Sequence, residues 1–214
     1  MCDPTSPGFS FCRVNTGNVE QNGMLQHHLH DVREALSHGL LYIALSQCLA
    51  FPDVCGALES VDGKATGARY KAWFDKYVSN KYSAGAAFAS YQTLTGDDCY
   101  YFRCSLLHQS ITTHHASRFE RIIFTTNIQW HNVLVAPGDL DYLPIDQKSR
   151  SLTGMGGKGA LLLNLTTFCE DIMQGVEVWA QEKKDEAQVA ANYARTIKPY
   201  PNGFQPFQGM MVIT

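Results

Sequence analysis

The sequence predicts a mainly α-helical bundle that carries a small inserted β-hairpin or sheet. Apolar residues recur at the three- and four-residue spacing of a helix face through much of the first 111 positions, and again after Thr167. Two segments, Thr95–Asp98 and Thr167–Glu170, have the spacing of capping boxes, which start helices. Only the stretch from about 121 to 165 is rich in the β-branched and aromatic residues of strands.

Length and composition indicate one ordinary globular domain. The chain has 214 residues, of which 45% are hydrophobic and 17% charged, with 17 basic against 20 acidic side chains. This balance excludes disorder of the whole chain. The sequence has no block of basic residues, which argues against a large surface for sequence-independent binding of nucleic acid. A localised cleft that acts on RNA is compatible with it. The expected divisions are an irregular arm over 1–23, a helical domain over 24–198 with its β insertion at about 121–165, and an extended tail over 199–214.

The first part of the domain is expected to be helical. Apolar positions repeat from Leu25 to Leu49 and are interrupted at Gly39, which predicts two consecutive helices or one helix bent there. Pro52 fits the first turn of a short helix that ends at Leu58. A further amphipathic helix is expected over about 66–78, and its apolar face, which suits a core, consists of Tyr70, Trp73, Phe74, Tyr77 and Val78.

The second part of the domain combines helices with the β element. The capping box at Thr95 opens a helix that continues to about Ile111, and the one at Thr167 opens a long C-terminal helix. The expected β element consists, in chain order, of a hairpin formed by Arg121–Asn127 and His131–Val135, a glycine-rich loop over 136–159 and a further strand over Ala160–Leu165.

The sequence favours a cytoplasmic protein without a membrane span. The longest nearly apolar run, Gly39–Phe51, is shorter than the roughly 20 residues that cross a bilayer, and the first residues lack the features of a secretory signal. Seven cysteines without a C-x-x-C pair indicate neither a disulfide framework nor a zinc site. No cofactor and no bound metal are expected.

Arg103 and His108 lie five positions apart in the helix expected over about 95–111. An imidazole can take a proton from a ribose 2′-hydroxyl near neutral pH, while a guanidinium stabilises the additional charge on the phosphate, so the pair needs no metal. The spacing alone is weak evidence, because Arg33 and His38 show it as well. For that second pair an ordinary structural role is favoured, since His38 stands at the C-terminal end of a predicted helix.

The helix that holds Arg103 and His108 has two apolar sides. At 100° per residue, His108 lies about 140° around the helix from Arg103. The arc between them is mostly apolar, with Tyr100, Cys104, Leu107 and Ile111, and the opposite arc suits the core, with Cys99, Phe102 and Leu106. The polar side is left with Asp98, Ser105 and Gln109, of which Ser105 and Gln109 are predicted to contact substrate. Such a helix either lies centrally in a bundle or buries its second side against a partner chain.

The block Asp98-Cys-Tyr-Tyr-Phe-Arg-Cys-Ser-Leu-Leu-His-Gln109 resembles the Arg-x(4–6)-His signature of the HEPN superfamily. The segments Pro52–Glu59 and Tyr70–Tyr77 are similar to an uncharacterised bacterial branch of it. The resemblance implies a helical bundle, usually a homodimer, whose two motif helices meet and form one metal-independent endoribonuclease cleft. Arg103 and His108 carry over as catalytic residues, and Cys104 stands where active members often have a polar residue.

Three hypotheses for function follow. The first is a toxin-like or defence-like ribonuclease that cleaves RNA to a cyclic phosphate, dimerises through the Thr95–Ile111 helix and has an antitoxin-like protein as a further expected partner. The second is a non-catalytic interaction module in which the same helix is a dimer or partner interface. The two motif residues then have a structural role only, in which Arg103 and His108 pair with Asp97, Asp98 or backbone carbonyls. The third is a metal-dependent helical-bundle hydrolase that takes its ligands from two helix ends, namely His27, His28, His30, Asp31, His114 and His115.

Overall fold

The computed structural model describes residues 23–82, 94–119, 121–126, 160–214 and the backbone of 132–135. The α-helices in this part of the chain are α1 (Gln26–Ser37), α2 (Leu41–Leu58), α3 (Gly67–Tyr77), α4 (Gly96–Gln109), α5 (Leu165–Lys183) and α6 (Ala187–Tyr193). The strands are β1 (Ile122–Thr125), β2 (Asn132–Val135), β3 (Ala160–Asn164), β4 (Pro199–Tyr200) and β5 (Val212–Ile213). The prediction of a mainly α-helical domain with a small β element is confirmed.

Helix α2 lies at the centre of the domain. It contacts α1, α3, α4, α5 and α6, and the other helices pack around it. The largest fully buried side chains include Trp179 of α5, Tyr70 and Phe74 of α3, and Phe51 of α2. The aromatic face predicted for α3 is therefore core, and its burial against α2 and α5 supplies much of the hydrophobic stabilisation.

The predicted break at Gly39 is confirmed, but Pro52 lies inside a helix. Gly39 has a φ of +69°, a left-handed conformation that glycine adopts without a steric penalty, and it separates α1 from α2. The prediction that Pro52 begins a short helix is wrong, because α2 runs through it from Leu41 to Leu58. Buried residues on both sides of the proline, such as Leu49 and Cys55, keep the helix packed although one backbone hydrogen bond is lost.

The apolar helix α2 is, by length and composition, able to cross a membrane. Its 18 residues have a mean hydropathy of 1.4, and half of this window is buried inside the protein. The central helix of a water-soluble bundle has the same properties, since it is apolar on every side that contacts a neighbour. Its contacts with five other helices make α2 a core helix of this domain.

The three-stranded sheet differs from the predicted hairpin. Its order is β1-β3-β2, with β3 parallel to β1 and antiparallel to β2, so β1 and β2 do not pair with each other. Leu161 and Leu163 of β3 are fully buried. An apolar strand of this kind favours the central position of a sheet, where both of its edges are paired with other strands. The hairpin prediction is therefore wrong, although all three segments do form strands.

Strand β3 leads directly into α5, which starts earlier than predicted. The side chain of Asn164 is the N-cap, and it accepts a hydrogen bond of 3.0 Å from the backbone N–H of Thr167. The capping box predicted at Thr167–Glu170 is wrong, because these residues already lie within the helix. Asparagine is as effective an N-cap as serine or threonine, so the helix begins after Asn164 and not at the later Thr167.

The C-terminal segment folds back on itself instead of extending. Strands β4 and β5 pair antiparallel, and Lys198 and Thr214 exchange backbone hydrogen bonds of 2.7 and 3.1 Å. The extended tail predicted for 199–214 is thus a short two-stranded unit. The arm predicted for 1–23, except Gly23, and the loop predicted for 136–159 lie outside the described residues.

Candidate functional site

The start of α4 is fixed by local capping and by close packing on α3. Thr95 and Asp98 form the predicted capping box, in which Asp98 also accepts a hydrogen bond of 3.0 Å from the backbone N–H of Thr95. Arg118 donates to the buried Asp98 carboxylate, with Nε 2.9 Å from Oδ1. Gly96 lies directly against the backbone of Lys71, so α3 and α4 approach closely at this point. These contacts set the position of the whole helix.

The core-facing side of α4 is wider than predicted. Cys99, Phe102 and Leu106 are buried, as expected. The assignment of Asp98 and Ser105 to an exposed polar side is wrong, since each is only 1% exposed. Both lie within about 100° of Leu106 around the helix. On this arc Phe102 contacts Phe124 of β1, and Asp98 contacts Arg118.

Of the two predicted substrate contacts on α4, only one is accessible. Ser105 is buried and is not available to a substrate on the surface of this chain. Gln109 is exposed at the last position of the helix. Gln109 therefore remains a candidate for substrate contact, and Ser105 does not.

Arg103 and His108 come together at the surface of α4. Arg103 Nη1 lies 3.2 Å from His108 Nε2, within hydrogen-bonding distance, although the two residues are five positions apart. His108 is exposed, whereas the side chain of Arg103 is 21% exposed. The guanidinium thus lies at the bottom of the site and the imidazole at its rim. A phosphate oxygen and a ribose hydroxyl of one nucleotide can contact such a pair together.

Asp53 of α2 is a member of this site that the sequence reading missed. Its carboxylate forms an ion pair with Arg103 Nη2, and its side chain is 16% exposed. Burial raises the pKa of the Asp53 carboxyl above its ordinary value, and the charges of Arg103 and His108 lower it only in part. The carboxylate holds the guanidinium from below and leaves Nη1 directed at His108.

A signal for Asp53 was present in the sequence. It is the only charged residue of α2, whose other residues are all uncharged and mostly apolar. A carboxylate in such a helix needs a cation close by, because an unpaired buried charge is costly. The acidic partners proposed for Arg103 within α4 pair elsewhere, since Asp97 contacts Lys71 at 2.6 Å and Asp98 contacts Arg118.

The second Arg-x(4)-His match has separate partners for its two members. Arg33 forms an ion pair of 2.6 Å with Glu177 of α5. The His38 ring lies 2.9 Å from the backbone oxygen of Glu34, at the end of α1. The structural role favoured for this pair agrees with these contacts.

The histidine clusters do not form a metal site in the part of the chain that the structure describes. No group of three or more His, Cys, Asp or Glu side chains is placed there to hold a metal ion. The rings of His27 and His28 lie 4.1 Å apart on α1, while His114 stacks on Tyr101 at 4.8 Å. The two helix ends therefore do not gather a shared ligand set.

The α1 histidines make the stability of the fold dependent on pH. Burial lowers the pKa of both His27 and His28 below the ordinary value of 6.5. The unfolded chain therefore binds these protons more readily than the folded chain does. The contribution of the two uncharged rings to the free energy of unfolding is fully present above about pH 6.5 and is lost as the pH falls below that value. We expect a lower melting temperature at about pH 5.5 than at about pH 7.5.

The pH effect is assigned by comparing variants in thermal melts. Replacing both histidines, as His27→Gln with His28→Gln, should reduce the difference in melting temperature between the two pH values. His38→Gln is the control, because the side chain of His38 is 69% exposed. An equal reduction in the control, or none in the double variant, would argue against this assignment.

Comparisons with protein-family models, with curated proteins and with solved structures found no match to this chain. Membership of the HEPN superfamily therefore remains a proposal. The features that bear on function are the Asp53, Arg103 and His108 side chains and their surroundings on α4.

Proposed function

We propose that this protein is a metal-independent endoribonuclease of HEPN type, with a toxin-like or defence-like role. The observation that carries the proposal is the approach of Arg103 Nη1 to His108 Nε2 at 3.2 Å on an accessible surface. The two groups that the chemistry requires, a proton acceptor and a fixed cation, lie next to each other there. Asp53 supports the pair by fixing the guanidinium.

In the proposed reaction, His108 takes the proton of a ribose 2′-hydroxyl. The 2′-oxygen then attacks the neighbouring phosphorus, and the bond from phosphorus to the 5′-oxygen of the next nucleotide breaks. The leaving oxygen receives a proton from an imidazolium, which completes the exchange. The products are a 2′,3′-cyclic phosphate and a 5′-hydroxyl, and Arg103 stabilises the charge that develops on the phosphate.

A second copy of the chain completes the site in this proposal. The accessible side of α4 carries Tyr100, Cys104 and Leu107, and Ile111 just beyond the helix is 42% exposed. Pairing of two α4 helices through this side buries their apolar atoms and brings two Arg103–His108 pairs together. One imidazole then acts as the base and its counterpart as the acid.

The test compares the two Arg-x(4)-His pairs of the same chain. Purified wild type, Arg103→Lys and Arg33→Lys are incubated with transfer RNA in excess EDTA, and the ends of the products are identified. Arg103→Lys retains a cation for Asp53 but loses the planar fork of donors, so we expect about a hundred-fold slower cleavage. Arg33→Lys should cleave at the wild-type rate. Equal rates in all three proteins would count against the proposal.

Asp53 is proposed to act as a positioning residue through Arg103. In Asp53→Asn the guanidinium loses its anionic partner and its fixed orientation, and we expect kcat to fall by about ten-fold or more with a smaller change in KM. Asp53→Glu should recover part of kcat, since it restores the charge. Asp62→Asn is the control, because Asp62 is an exposed carboxylate that contacts Arg69 away from the site. An unchanged kcat in Asp53→Asn would show that Asp53 does not position Arg103.

A non-catalytic interaction module is the second candidate. The observation that favours it is the ion pair between Arg103 and Asp53, which neutralises the guanidinium without any substrate. In that case the same side of α4 binds a second copy or an antitoxin-like protein, and Arg103 and His108 only stabilise the interface. A folded dimer that cleaves no RNA would select this function.

A further inference from the structure

Three aromatic rings form a stacked column that begins on α4, the helix that holds the Arg103–His108 pair. Tyr101 of α4 and His114 have ring centroids 4.8 Å apart with planes 14° from parallel, and His114 and His115 follow at 4.5 Å and 25°. His115 is exposed and forms the outer end of the column. In the described part of the chain, no further ring contacts the outer face of His115.

The column is rigid at its inner end. The backbone N–H of Ala116 donates a hydrogen bond of 3.1 Å to His114 Nδ1, which fixes the middle ring. Lys71 Nζ lies 4.9 Å from the centroid of Tyr101 and 5.1 Å from that of Tyr100, as in cation–π contacts. Rings that are held in place before a ligand binds lose little entropy on binding.

Tyr101 of the column and His108 of the proposed catalytic pair occupy the same side of α4. Tyr101 and His108 are seven positions apart, which places them about 20° apart around the helix and roughly 10 Å apart along its axis. Cys104 lies between them along the axis but about 40–60° away around the helix, towards the side proposed to pair with a second copy. A single RNA strand that runs along α4 with one nucleotide at Arg103 and His108 therefore passes Tyr101, and a further base of the same strand can stack at the outer end of the column, two rings beyond Tyr101.

Stacking, and not charge, is the main interaction that this surface offers. Lys71 contacts Asp97 at 2.6 Å, Arg103 contacts Asp53 and Arg118 contacts Asp98, so these three cations already have carboxylate partners. A nucleobase that stacks on an aromatic ring gains a contribution that is independent of base identity. A base within a duplex has both faces covered by its neighbours and cannot stack on the column.

We propose that the column of Tyr101, His114 and His115 is a subsite for an unpaired RNA base next to the catalytic pair. This inference rests on the proposed function and narrows its substrate class to single-stranded RNA. The outer ring, His115, stacks on the base, and the two inner rings support it.

The test measures binding of an uncleavable probe. A short fluorescent 2′-O-methyl oligoribonucleotide has no free 2′-hydroxyl, so its binding to wild type can be followed by fluorescence anisotropy without cleavage. We expect His115→Ala to weaken binding about ten-fold, and His115→Phe to bind as tightly as wild type because it retains an aromatic face. The ratio of the dissociation constants of His115→Ala and wild type should be the same at raised salt, because stacking depends little on ionic strength.

Two controls separate stacking from other effects. His30→Ala removes another exposed histidine, on α1, and should leave binding unchanged. A duplex of the same length should bind wild type and His115→Ala equally. Binding that is unchanged in His115→Ala, or equally weak in His115→Phe and His115→Ala, would overturn the subsite.

The outcomes for the subsite and for the nuclease are distinguishable. Wild type that binds the probe through His115 but leaves an unmodified strand intact would refute the nuclease and support the base-binding surface. Wild type that cleaves RNA, with probe binding insensitive to His115, would refute the subsite alone.

Discussion

Replacement of His108 with alanine is expected to lower RNA cleavage by about a thousand-fold and to leave the fold intact. In the proposed mechanism the two copies of this imidazole supply both the base and the acid, and the described site offers no second imidazole on the same chain at this distance from Arg103. The ring is exposed, so its loss removes little packing. The measurement is the single-turnover rate on transfer RNA, with circular dichroism to verify the fold.

The matched control for this variant is His38→Ala. His38 follows Arg33 at the same spacing and is exposed at the end of α1, and within the described part of the chain its polar partners, Ser37 and Glu34, belong to its own helix. We expect wild-type cleavage from it. If His38→Ala and His108→Ala cleave at the same rate, the assignment of His108 as the proton-transfer group is wrong.

Replacement of Gly96 with alanine is expected to destabilise the protein by about 3 kcal/mol, or roughly 6–12 °C in melting temperature. An added Cβ would lie 2.8 Å from Cα and 2.9 Å from the carbonyl carbon of Lys71, and closer still to the carbonyl oxygen. These are backbone atoms, so relief requires α3 and α4 to separate. Because Arg103 lies on α4 and Asp53 on α2, this movement should also weaken their ion pair and slow cleavage.

The control for Gly96→Ala is Gly175→Ala in α5. A Cβ at Gly175 would lie 3.0 Å from Val78 Cγ2 and 3.2 Å from Trp73 Cη2, which are ends of side chains and can shift. The higher helix propensity of alanine offsets part of that cost. Thermal melts should show a clearly larger loss for Gly96→Ala. Equal losses in melting temperature would show that the contact between α3 and α4 at Gly96 is no more sensitive to an added Cβ than the packing around Gly175.

The sequence predicts features of this fold whose determinants are local. Thr95 and Asp98 are three positions apart, and their mutual hydrogen bonds need no other element, so the start of α4 is found correctly. The burial of Cys99, Phe102 and Leu106 follows in the same way from helical spacing.

Features that depend on distant residues are found less well. The partner of Arg103 is Asp53, fifty positions earlier, and only the packing of α2 on α4 brings them together. The order of the sheet depends on which strand is apolar enough to lie at its centre, and neighbours in sequence do not determine this. Ser105 appears polar and accessible by residue type, yet the arc of α4 that contains it is covered from outside the helix.

The identity of the product ends tests the central claim most directly. An oligoribonucleotide that wild type cleaves in excess EDTA is resynthesised with a single 2′-deoxynucleotide on the 5′ side of the cleaved bond. Attack by the neighbouring 2′-oxygen predicts a 2′,3′-cyclic phosphate and a 5′-hydroxyl from the unmodified strand, and no cleavage of the substituted one. Products that end in a 5′-phosphate, or cleavage that persists at the 2′-deoxy position, would contradict the mechanism assigned to Arg103 and His108.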